Sequence, residues 1–293
     1  MAVEGSHEGL RSRRYIKFKE LLRGTIPDEV LKLIPNSFYI IGDIAVINLP
    51  KELGNYAAEV GRAIQLTNKN VRAVYMGGST VSDYRIKELT HIYGEERTET
   101  IHKEYGIRIY VDISKAYFNP SLSEERRRVA NSVVDNERVL DLFTGVGPFT
   151  LHIICSKKSY VVANDINPYA LTYLRKSLEL NKKLVKGYVD IINSDASELL
   201  KSLRGETFDK AILNLPHKAV YYLPNVLKIL KVNGTAYTYV ISDTPSNAAK
   251  EVDNVLSNSY RANYMIKNIV SVLDYAPHKY IYRVEVCKLP TTK

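Results

Sequence analysis

The second half of the chain alternates between short apolar runs and longer stretches in which apolar residues have a helical spacing. Apolar side chains are concentrated in the segments 138–143, 160–166, 188–193, 208–213 and 235–241. Between and after these runs, apolar residues recur every three or four positions, which predicts helices at 149–156, 168–181, 197–203, 218–230 and 246–257. Strands and helices in strict alternation predict a parallel sheet with right-handed crossovers.

The end of the chain departs from this alternation. Two further strand candidates, 262–272 and 280–288, have no helix between them, so one of the two is expected to run antiparallel. Together with the five earlier strands they make a mostly parallel sheet of seven strands. We therefore expect an α/β domain of the Rossmann-like class over residues 115–293.

The first part of the chain has a different pattern. Residues 1–34 form a basic segment with helically spaced leucines, and residues 35–114 are expected to form a small α+β domain. Within that domain the pattern predicts two short strands around a Gly-Asp turn, a helix, a strand that ends at a glycine pair, and a hairpin, at 38–47, 51–67, 71–76 and 98–113. The chain is thus expected to have three parts.

Charge narrows the choice of partners. The 293 residues include 41 lysines and arginines against 32 aspartates and glutamates, which gives a formal net charge of +9. Such a balance is compatible with binding to phosphate backbones. No apolar run reaches the roughly 20 residues of a membrane span, so no membrane partner is expected. Two cysteines, Cys155 and Cys287, are too few for a disulfide framework or a zinc site, and no metal site is expected.

Acidic residues and glycines follow the first three predicted strands of the α/β domain. Asp141 ends the first strand, and Gly145 and Gly147 follow it, where glycine allows a sharp turn and the close approach of a ligand. Asp165 follows the second strand and Asp195 the third, although an aspartate there is as often a helix N-cap. Ligands of open α/β sheets bind beyond the carboxyl ends of the strands. The order therefore predicts a nucleoside site, with Asp165 on the ribose and Asp195 near the adenine.

The glycine loop does not match the dinucleotide fingerprint. That fingerprint has a third glycine three positions after the second. In this chain Thr150 occupies the position, and Pro148 follows Gly147 directly. The departure favours S-adenosylmethionine over a nicotinamide cofactor.

Several segments carry a more specific resemblance. They are SDYRIKELTHIYGE (82–95), TETIHKEYGIRIYVDISKAYFNPSLSEERRRVA (98–130), DLFTGVGPF (141–149), NDINPYA (164–170) and NLPHKA (214–219). On these segments, residues 35–290 resemble the Trm5 family of tRNA (guanine-37, N1)-methyltransferases, particularly its archaeal members. The resemblance implies a class I Rossmann-like methyltransferase fold, S-adenosyl-L-methionine as cofactor, and the anticodon stem-loop of tRNA with G37 as substrate.

The resemblance implies catalytic roles for three residues. Glu125, in LSEERRR, matches the general base, and Arg85, in DYRIKEL, matches the donor to guanine O6. Asn214, in NLP, matches an amide that holds the target base or a nearby sugar. Glu124 is the alternative to Glu125, which aligns with the Glu-Arg pair of the family motif. The arginines at 126–128 are expected to contact phosphates or to form ion pairs that support the fold.

Cofactor contacts are carried over in the same way. The expected cofactor-binding residues are Tyr117, Phe118, Asp141, Phe143, Gly145, Gly147, Asp165, Asn167, Asp195, Asn214 and Pro216. Tyr117 and Phe118 are expected to wall the adenosine pocket or to flank a flipped base, with packing between the domains as the alternative. His217 stands where methyltransferases that act on exocyclic amines carry an aromatic residue, which favours a ring nitrogen as the target.

Other functions stay open at this point. A wyosine-pathway tRNA transferase of the same superfamily would move the aminocarboxypropyl arm of the same cofactor, and a dual-action member would also methylate the tricyclic derivative of G37. A tRNA-binding protein with a degenerate pocket is the non-enzymatic alternative, against which the intact glycine loop argues. We expect a cytoplasmic, monomeric enzyme whose small α+β domain binds tRNA. The extra N-terminal domain, with which many members check the outer corner of tRNA, is expected to be missing.

Overall fold

The computed structural model describes residues 17–81, 86–260 and 263–290. This part of the chain folds into two compact units. The first unit holds the described residues up to Gly78 together with Leu89–Arg97, and the second unit holds the others. Arg85, the predicted donor to guanine O6, lies outside the described residues.

The first unit contains a four-stranded sheet. Its elements in chain order are α1 (Phe18–Leu21), α2 (Asp28–Leu33), β1 (Tyr39–Ile41), β2 (Ile44–Ile47), a 3-10 turn (Lys51–Tyr56), α3 (Ala57–Thr67), β3 (Ala73–Val81) and β4 (Ile86–Gly94). The strands lie in the order β1-β2-β3-β4, with β1 and β2 antiparallel and β2 and β3 parallel. The third strand was predicted to end at the glycine pair, but β3 continues through it to Val81.

The N-terminal stretch is part of this first unit. Phe18, Leu22 and Ile34 are buried and share one hydrophobic cluster with Val60 and Ile64 of α3. The apolar residues at helical spacing therefore cover the core of the small domain. From residue 17 on, this stretch is therefore not the separate basic segment that the sequence predicted. Its apolar side chains are buried against the rest of the small domain.

The second unit is an α/β sheet preceded by a hairpin. Its elements are β5 (Glu99–Glu104), β6 (Ile107–Asp112), α4 (Ser123–Ser132), β7 (Arg138–Asp141), α5 (Pro148–Ser156), β8 (Tyr160–Asp165), α6 (Pro168–Asn181), β9 (Tyr188–Asn193), α7 (Ala196–Ser202), β10 (Phe208–Leu213), α8 (Ala219–Ile229), β11 (Leu230–Ser242), α9 (Pro245–Ser259), β12 (Tyr264–Ala276) and β13 (Lys279–Lys288). The strand order is β12-β13-β11-β10-β7-β8-β9. Within this seven-stranded sheet, β13 runs antiparallel to its two neighbours, β11 and β12, and the other described pairs are parallel. The predicted α/β class with a mostly parallel seven-stranded sheet is confirmed.

The hairpin β5–β6 packs on α6 of the same unit. Asn181 accepts from the backbone N–H of Arg108 at 2.9 Å and donates to its carbonyl at 2.6 Å. Ser177, one turn earlier, accepts from the backbone N–H of Tyr110 at 2.8 Å. These contacts attach the hairpin to the α/β sheet. The hairpin therefore belongs to the second unit, which resumes at Thr98, whereas the sequence placed it in the small α+β domain that ends at 114.

The centre of the large sheet sets the place of the site. Val139 and Leu140 of β7 are both 0% exposed, so both faces of this strand are covered. From β7 the chain proceeds outward to β8 and β9 and then crosses to β10 and β11 on the other side. The order of strands thus switches between β7 and β10, which is where open α/β sheets bind ligands at the carboxyl ends of the strands.

Candidate active site

The glycine loop lies at this switch point, between β7 and α5. Gly147 is the N-cap of α5 with φ +81°, and a Cβ there would lie 2.2 Å from Cδ1 of Leu174. Only glycine fits this position. Gly145 also has a positive φ, +57°, but the nearest atom to a Cβ would be the carbonyl oxygen of Tyr117 at 3.9 Å. The loop therefore packs tightly at Gly147 and leaves room for a ligand at Gly145.

Asp141, at the end of β7, is fully buried. Its Oδ2 accepts hydrogen bonds of 2.8 Å from the hydroxyls of Thr144 and Thr150, which lie in the loop and in α5. Burial raises the pKa of Asp141 to about 6, and the two hydroxyl donors counter part of that rise. The structure thus makes Asp141 a support of the glycine loop, and it presents no exposed atom for the cofactor contact that the sequence predicted.

Asp165, at the end of β8, joins the two loops that follow β7 and β8. Its Oδ2 accepts from the backbone N–H of Gly145 at 2.7 Å, and its Oδ1 accepts from the N–H of Asn167 at 2.9 Å. Burial raises the pKa of Asp165, and these backbone donors work in the opposite direction. The carboxylate remains partly exposed beside the open space at Gly145. It can therefore accept hydrogen bonds from the hydroxyls of a ribose.

Asn167 and Asp195 are helix N-caps. Asn167 is buried, its Oδ1 accepts from the N–H of Tyr169 at 3.0 Å, and its Nδ2 donates to the carbonyl of Lys115 at 2.8 Å. Asp195 is exposed, and its Oδ1 accepts from the N–H of Ser197 at 2.8 Å. Such caps satisfy backbone donors at the start of a helix. Both residues were predicted to bind cofactor, and in the structure both cap the first turn of a helix, Asn167 that of α6 and Asp195 that of α7.

Tyr117 and Phe118 lie in different surroundings. Tyr117 is 39% exposed, and its carbonyl oxygen is the atom beside Gly145. Phe118 is buried, with the guanidinium of Arg126 at 4.7 Å from its ring centroid and the ring of His102 edge-on at 5.1 Å. Tyr117 therefore adjoins the glycine loop, whereas Phe118 fills the space between the hairpin and α4.

The parallel strands β7 and β10 end at the same edge of the sheet, so the segments that follow them begin side by side. Phe143 is partly buried and meets the ring of Tyr222 edge-on at 5.1 Å. Asn214 and Pro216, which follow β10, are partly buried. His217 is exposed, and its Nε2 lies 3.1 Å from the hydroxyl of Tyr275. The predicted residues Phe143, Asn214 and Pro216 thus share the edge at which the glycine loop lies.

Glu125, in the first turn of α4, is buried, with 3% of its side chain exposed. Its Oε1 accepts from the hydroxyl of Tyr239 at 2.7 Å and from Nη1 of Arg283 at 2.5 Å. Oε2 is buried and has no hydrogen-bond partner among the described residues. This is an unusual state for a carboxylate oxygen, because buried polar atoms are nearly always paired.

The strand register relates Glu125 to Asn214. On the parallel strands β10 and β11, Leu213 pairs with Thr238. The next residues are Tyr239 of β11 and Asn214, which directly follows the end of β10. Tyr239 donates to Glu125, so the predicted base is bonded to β11, the neighbour of the strand that precedes the predicted amide.

Sequence reasoning missed the carboxylate that fixes α4. Glu104, at the end of β5, is buried and accepts from Arg126 of α4 and, at 2.9 Å, from Nε2 of His152 on α5. Burial alone would raise the pKa of Glu104, but hydrogen bonds from His102 and His152 and the charge of Arg126 lower it to about 2. Of the two roles expected for Arg126, the fold-supporting ion pair is the one present. The sequence signal was the period of two that places Thr100, His102 and Glu104 on one face of the hairpin.

Two general features complete the description of the site. In the described ranges, no group of three or more histidine, cysteine, aspartate or glutamate side chains is arranged to hold a metal ion. No helix in the described part of the chain is long and apolar enough to span a membrane.

Two protein families match this chain. Residues 100–269 match the family described as TRM5/TYW2 methyltransferase domain, and residues 18–98 match the one described as TYW2 N-terminal domain. The chain belongs to the TRM5/TYW2 methyltransferase family. The resemblance found in the sequence is therefore confirmed, and the two matches meet at residues 98–100, close to Thr98, where the hairpin and the α/β sheet of the second unit begin.

Two relatives of this TRM5/TYW2 family member are named for methylation at position 37 of tRNA, on different substrates. The tRNA (guanine(37)-N(1))-methyltransferase Trm5b of Pyrococcus abyssi is 38% identical over 272 residues, which cover 92% of this chain and 79% of the relative. Its crystal structure matches with a TM-score of 0.83 over 98% of this chain and 84% of that one, at 36% identity. The tRNA 4-demethylwyosine(37)-methyltransferase Taw21 of Saccharolobus solfataricus is 31% identical over 250 residues, or 84% of this chain and 92% of the relative.

A further solved structure includes nucleic acid. The complex of aTrm5 with tRNALeu matches this chain with a TM-score of 0.80 and 29% identity. The match covers 98% of this chain and 82% of that one, so both units described above are included. The chain is therefore similar throughout its described length to a tRNA-bound member of the family.

Proposed function

We propose that this protein transfers a methyl group from S-adenosyl-L-methionine to N1 of guanosine 37 in tRNA. The observation that carries the proposal is the buried Glu125 carboxylate, which has one oxygen held by Tyr239 and Arg283 and one without a partner among the described residues, in a chain of the TRM5/TYW2 methyltransferase family. Trm5b of Pyrococcus abyssi, which is similar over 92% of the chain, is named for this reaction. The protein is expected to act in the cytoplasm as a monomer.

The residues around Gly145 fit the cofactor. The open space at the Gly145 backbone and the partly exposed carboxylate of Asp165 suit a nucleoside, whose ribose hydroxyls need an acceptor. Tyr117 adjoins the same space. When bound, S-adenosyl-L-methionine supplies an electrophilic methyl group on a sulfonium. Gly145, Asp165, Tyr117 and the segment after β10 would hold the nucleoside and methionine parts and align the methyl group with its acceptor.

Guanine N1 needs help because it carries a proton and is a poor nucleophile while neutral. Glu125 is placed to accept that proton as the bond from N1 to the methyl carbon forms and the bond from that carbon to sulfur breaks. Negative charge that moves toward O6 needs a fixed donor, and Arg85 is the proposed one. Asn214 would hold the base in line with the methyl group, which lowers the entropic part of the barrier.

The partner is expected to be the anticodon stem-loop. Guanine in an anticodon loop is unpaired and can leave the stack, so its Watson–Crick edge becomes accessible to a pocket. The formal net charge of +9 favours association with the RNA backbone. The described small unit and the α/β unit both match the aTrm5 structure that contains tRNALeu.

The test uses purified protein, labelled S-adenosyl-L-methionine and unmodified tRNA transcripts that carry G37 or A37. We expect one methyl group per G37 transcript, found by nucleoside mapping as 1-methylguanosine at position 37, and none on the A37 transcript. Methyl incorporation at another position or on both transcripts would contradict the proposal. Transfer of the larger aminocarboxypropyl group would indicate the wyosine-pathway reaction instead.

A second candidate substrate has a specific observation in its favour. The relative Taw21, 31% identical over 84% of this chain, is named as a methyltransferase for 4-demethylwyosine at the same tRNA position. The same base and amide could serve a ring carbon or nitrogen of that tricyclic nucleoside. Incubation with tRNA that carries 4-demethylwyosine at position 37 distinguishes an enzyme with one substrate from an enzyme with both.

A further inference from the structure

A buried arginine lies between two carboxylates beside the proposed base. Arg283 of β13 donates from Nη1 to Glu125 at 2.5 Å and from Nη2 to Glu285 at 2.7 Å. Only 9% of the Arg283 side chain is exposed. Burial alone would lower the pKa of Arg283, but the charge of Glu125 raises it above its usual range. A buried charge without a partner is strongly unfavourable, and Arg283 and Glu125 are each other's direct ion-pair partners.

Tyr239 of β11 completes the environment of one oxygen atom. It is fully buried, and its hydroxyl donates to Oε1 of Glu125, the same oxygen that accepts from Arg283. Burial first, and the charge of Glu125 second, raise the pKa of Tyr239 well above its ordinary value, so the phenol remains a donor at neutral pH. Oε1 thus has two donors and Oε2 has none among the described residues. One oxygen is fixed, and the other keeps its acceptor capacity.

The ionisable groups of α4, α5 and the hairpin that lie nearest to Glu125 pair with one another. Arg126, which follows Glu125 on α4, pairs with Glu104 of the hairpin, and Glu104 also accepts from His152 of α5. The ring centroid of Tyr237 of β11 lies 5.5 Å from Cζ of Arg283, and the hydroxyl of Tyr237 shares a 2.7 Å hydrogen bond with the hydroxyl of Ser132. Of the cations described around α4, Arg283 is therefore the one that directly balances Glu125.

We propose that Arg283, together with Tyr239, is a positioning residue that fixes Oε1 of Glu125 and holds the carboxylate ionised, so that Oε2 takes the proton from guanine N1. The inference rests on the proposed function. In the step, the bond from N1 to the methyl carbon forms, the bond from that carbon to sulfur breaks, and the N1 proton moves to Oε2. Arg283 acts through Glu125. Glu285 binds the same guanidinium and thereby weakens the attraction between Arg283 and the Glu125 carboxylate.

The test is the pH dependence of single-turnover methylation of a G37 transcript. Arg283→Gln removes the cation, so ionised Glu125 becomes less stable, and the acid limb of the rate profile is expected to move upward by about one pH unit or more. That shift is a loss of rate of at least about tenfold below the limb. Arg283→Lys keeps the charge and is expected to recover most of the rate. Glu285→Gln removes the competing carboxylate and is expected to move the limb downward.

A matched control is available on the same strand. Lys288→Gln breaks the 2.7 Å ion pair of Lys288, whose side chain is also 9% exposed, with Glu206 in the segment before β10. This variant is expected to keep the wild-type profile. An acid limb in Arg283→Gln that stays at the wild-type pH, with only a lower plateau, would overturn the proposal, because a merely structural role lowers the rate at every pH.

A second readout separates this proposal from the proposed function. The carboxyl carbon of Glu125, assigned by isotope labelling and NMR, can be titrated in the whole protein without RNA. Its midpoint is expected to be higher in Arg283→Gln than in wild type, and equal midpoints would overturn the proposal. If wild type methylates no G37 transcript, the proposed function fails, and the NMR comparison still decides the role of Arg283. If Arg283→Gln does not unfold cooperatively, Tyr239→Phe, which removes the other donor to Oε1, gives the same two readouts, and unshifted values in this variant overturn the proposal.

Discussion

At the scale of single residues, two neighbouring glutamates differ in burial and therefore in the role that each can have. Successive positions on a helix point about 100° apart, so Glu124 and Glu125 cannot both face the sheet. The Glu124 side chain is 44% exposed and accepts from Tyr105 at 2.6 Å and from Arg127 at 3.1 Å. Glu125 is buried and bonded to residues of the sheet. A carboxylate that is shielded from water can accept a proton from a bound guanine. An exposed ion pair such as that of Glu124 contributes little to stability.

The buried carboxyl of Asp141 makes a prediction for stability. Its pKa of about 6 lies above its ordinary 3.8, so the folded protein binds this proton more tightly than the unfolded chain. The contribution to the free energy of unfolding is present below about pH 4 and is lost as the pH rises through 6. Asp141→Asn cannot ionise, so it is expected to gain up to about 3 kcal/mol relative to wild type between pH 4 and pH 7.

Urea unfolding at several pH values measures this difference. The exposed carboxyl of Glu198 on α7 offers a control, and Glu198→Gln is expected to change little with pH. Unfolding free energies of Asp141→Asn and wild type that differ by a constant amount at all pH values would show that Asp141 does not titrate in this window.

The two glycines of the loop are expected to respond differently to alanine. Gly145→Ala forces a side chain into the left-handed region, which costs roughly 1–2 kcal/mol, but it meets no atom closer than 3.9 Å. Gly147→Ala has the same strain and also overlaps Leu174, which adds about 1–3 kcal/mol. Thermal unfolding is expected to place Gly147→Ala below Gly145→Ala. The reverse order would contradict the packing described at α6.

At the scale of elements, one buried carboxylate connects a hairpin to two helices. Glu104→Gln leaves the buried charge of Arg126 unpaired, and the expected loss is about 3–5 kcal/mol at pH 7. The pKa of Glu104, about 2, lies below its ordinary 4.5. The stabilisation is therefore present above about pH 4.5 and is lost as the pH falls toward 2. The difference between variant and wild type should shrink over that range.

Glu99 provides the matched control for this prediction. It lies on the same hairpin, with a side chain that is 49% exposed and 3.5 Å from Lys176. Glu99→Gln is expected to cost no more than about 1 kcal/mol. Equal losses for the two variants in urea unfolding would show that the Glu104 cluster does not anchor α4.

The elements of the large sheet were predictable because their pattern is local. The predicted strand 208–213 is β10 residue for residue, and the predicted helix 168–181 is α6, because a continuous apolar run and a helical period are each readable in a short window. The packing of the hairpin on α6 was not predictable. It depends on Ser177 and Asn181, two ordinary polar residues whose backbone partners lie 67 and 73 positions away.

At the scale of the whole molecule, the site combines parts that are far apart in sequence. Glu125 lies 114 positions from Tyr239 and 158 positions from Arg283. The resemblance to a known family predicted Glu125, but nothing in the local pattern indicated its two partners. The sequence shows that Asp141 and Asn167 stand at the ends of strands, but it does not show that their side chains are buried. The division into units differed for the same reason, since burial of α1 and docking of the hairpin are contacts over long separations.

The net positive charge of the whole chain predicts a strong effect of salt on tRNA binding. Each phosphate contact releases a counterion, so the dissociation constant for tRNA is expected to rise at least about tenfold between roughly 50 and 200 mM KCl. Binding of S-adenosyl-L-methionine, which depends on contacts inside the α/β unit, is expected to change much less. Filter binding and calorimetry measure the two constants. A dissociation constant for tRNA that does not depend on salt would contradict an electrostatic mode of binding.

The central claim, that Glu125 is the base of a G37 methyltransferase, is tested most directly by comparing Glu125→Gln with Glu124→Gln. Single-turnover formation of 1-methylguanosine at position 37 is measured with saturating cofactor and tRNA, after calorimetry has verified cofactor binding. The account predicts that Glu125→Gln slows this step by about 10²- to 10⁴-fold and that Glu124→Gln stays near wild type. Wild-type turnover by Glu125→Gln, or an equal loss in both variants, would contradict it.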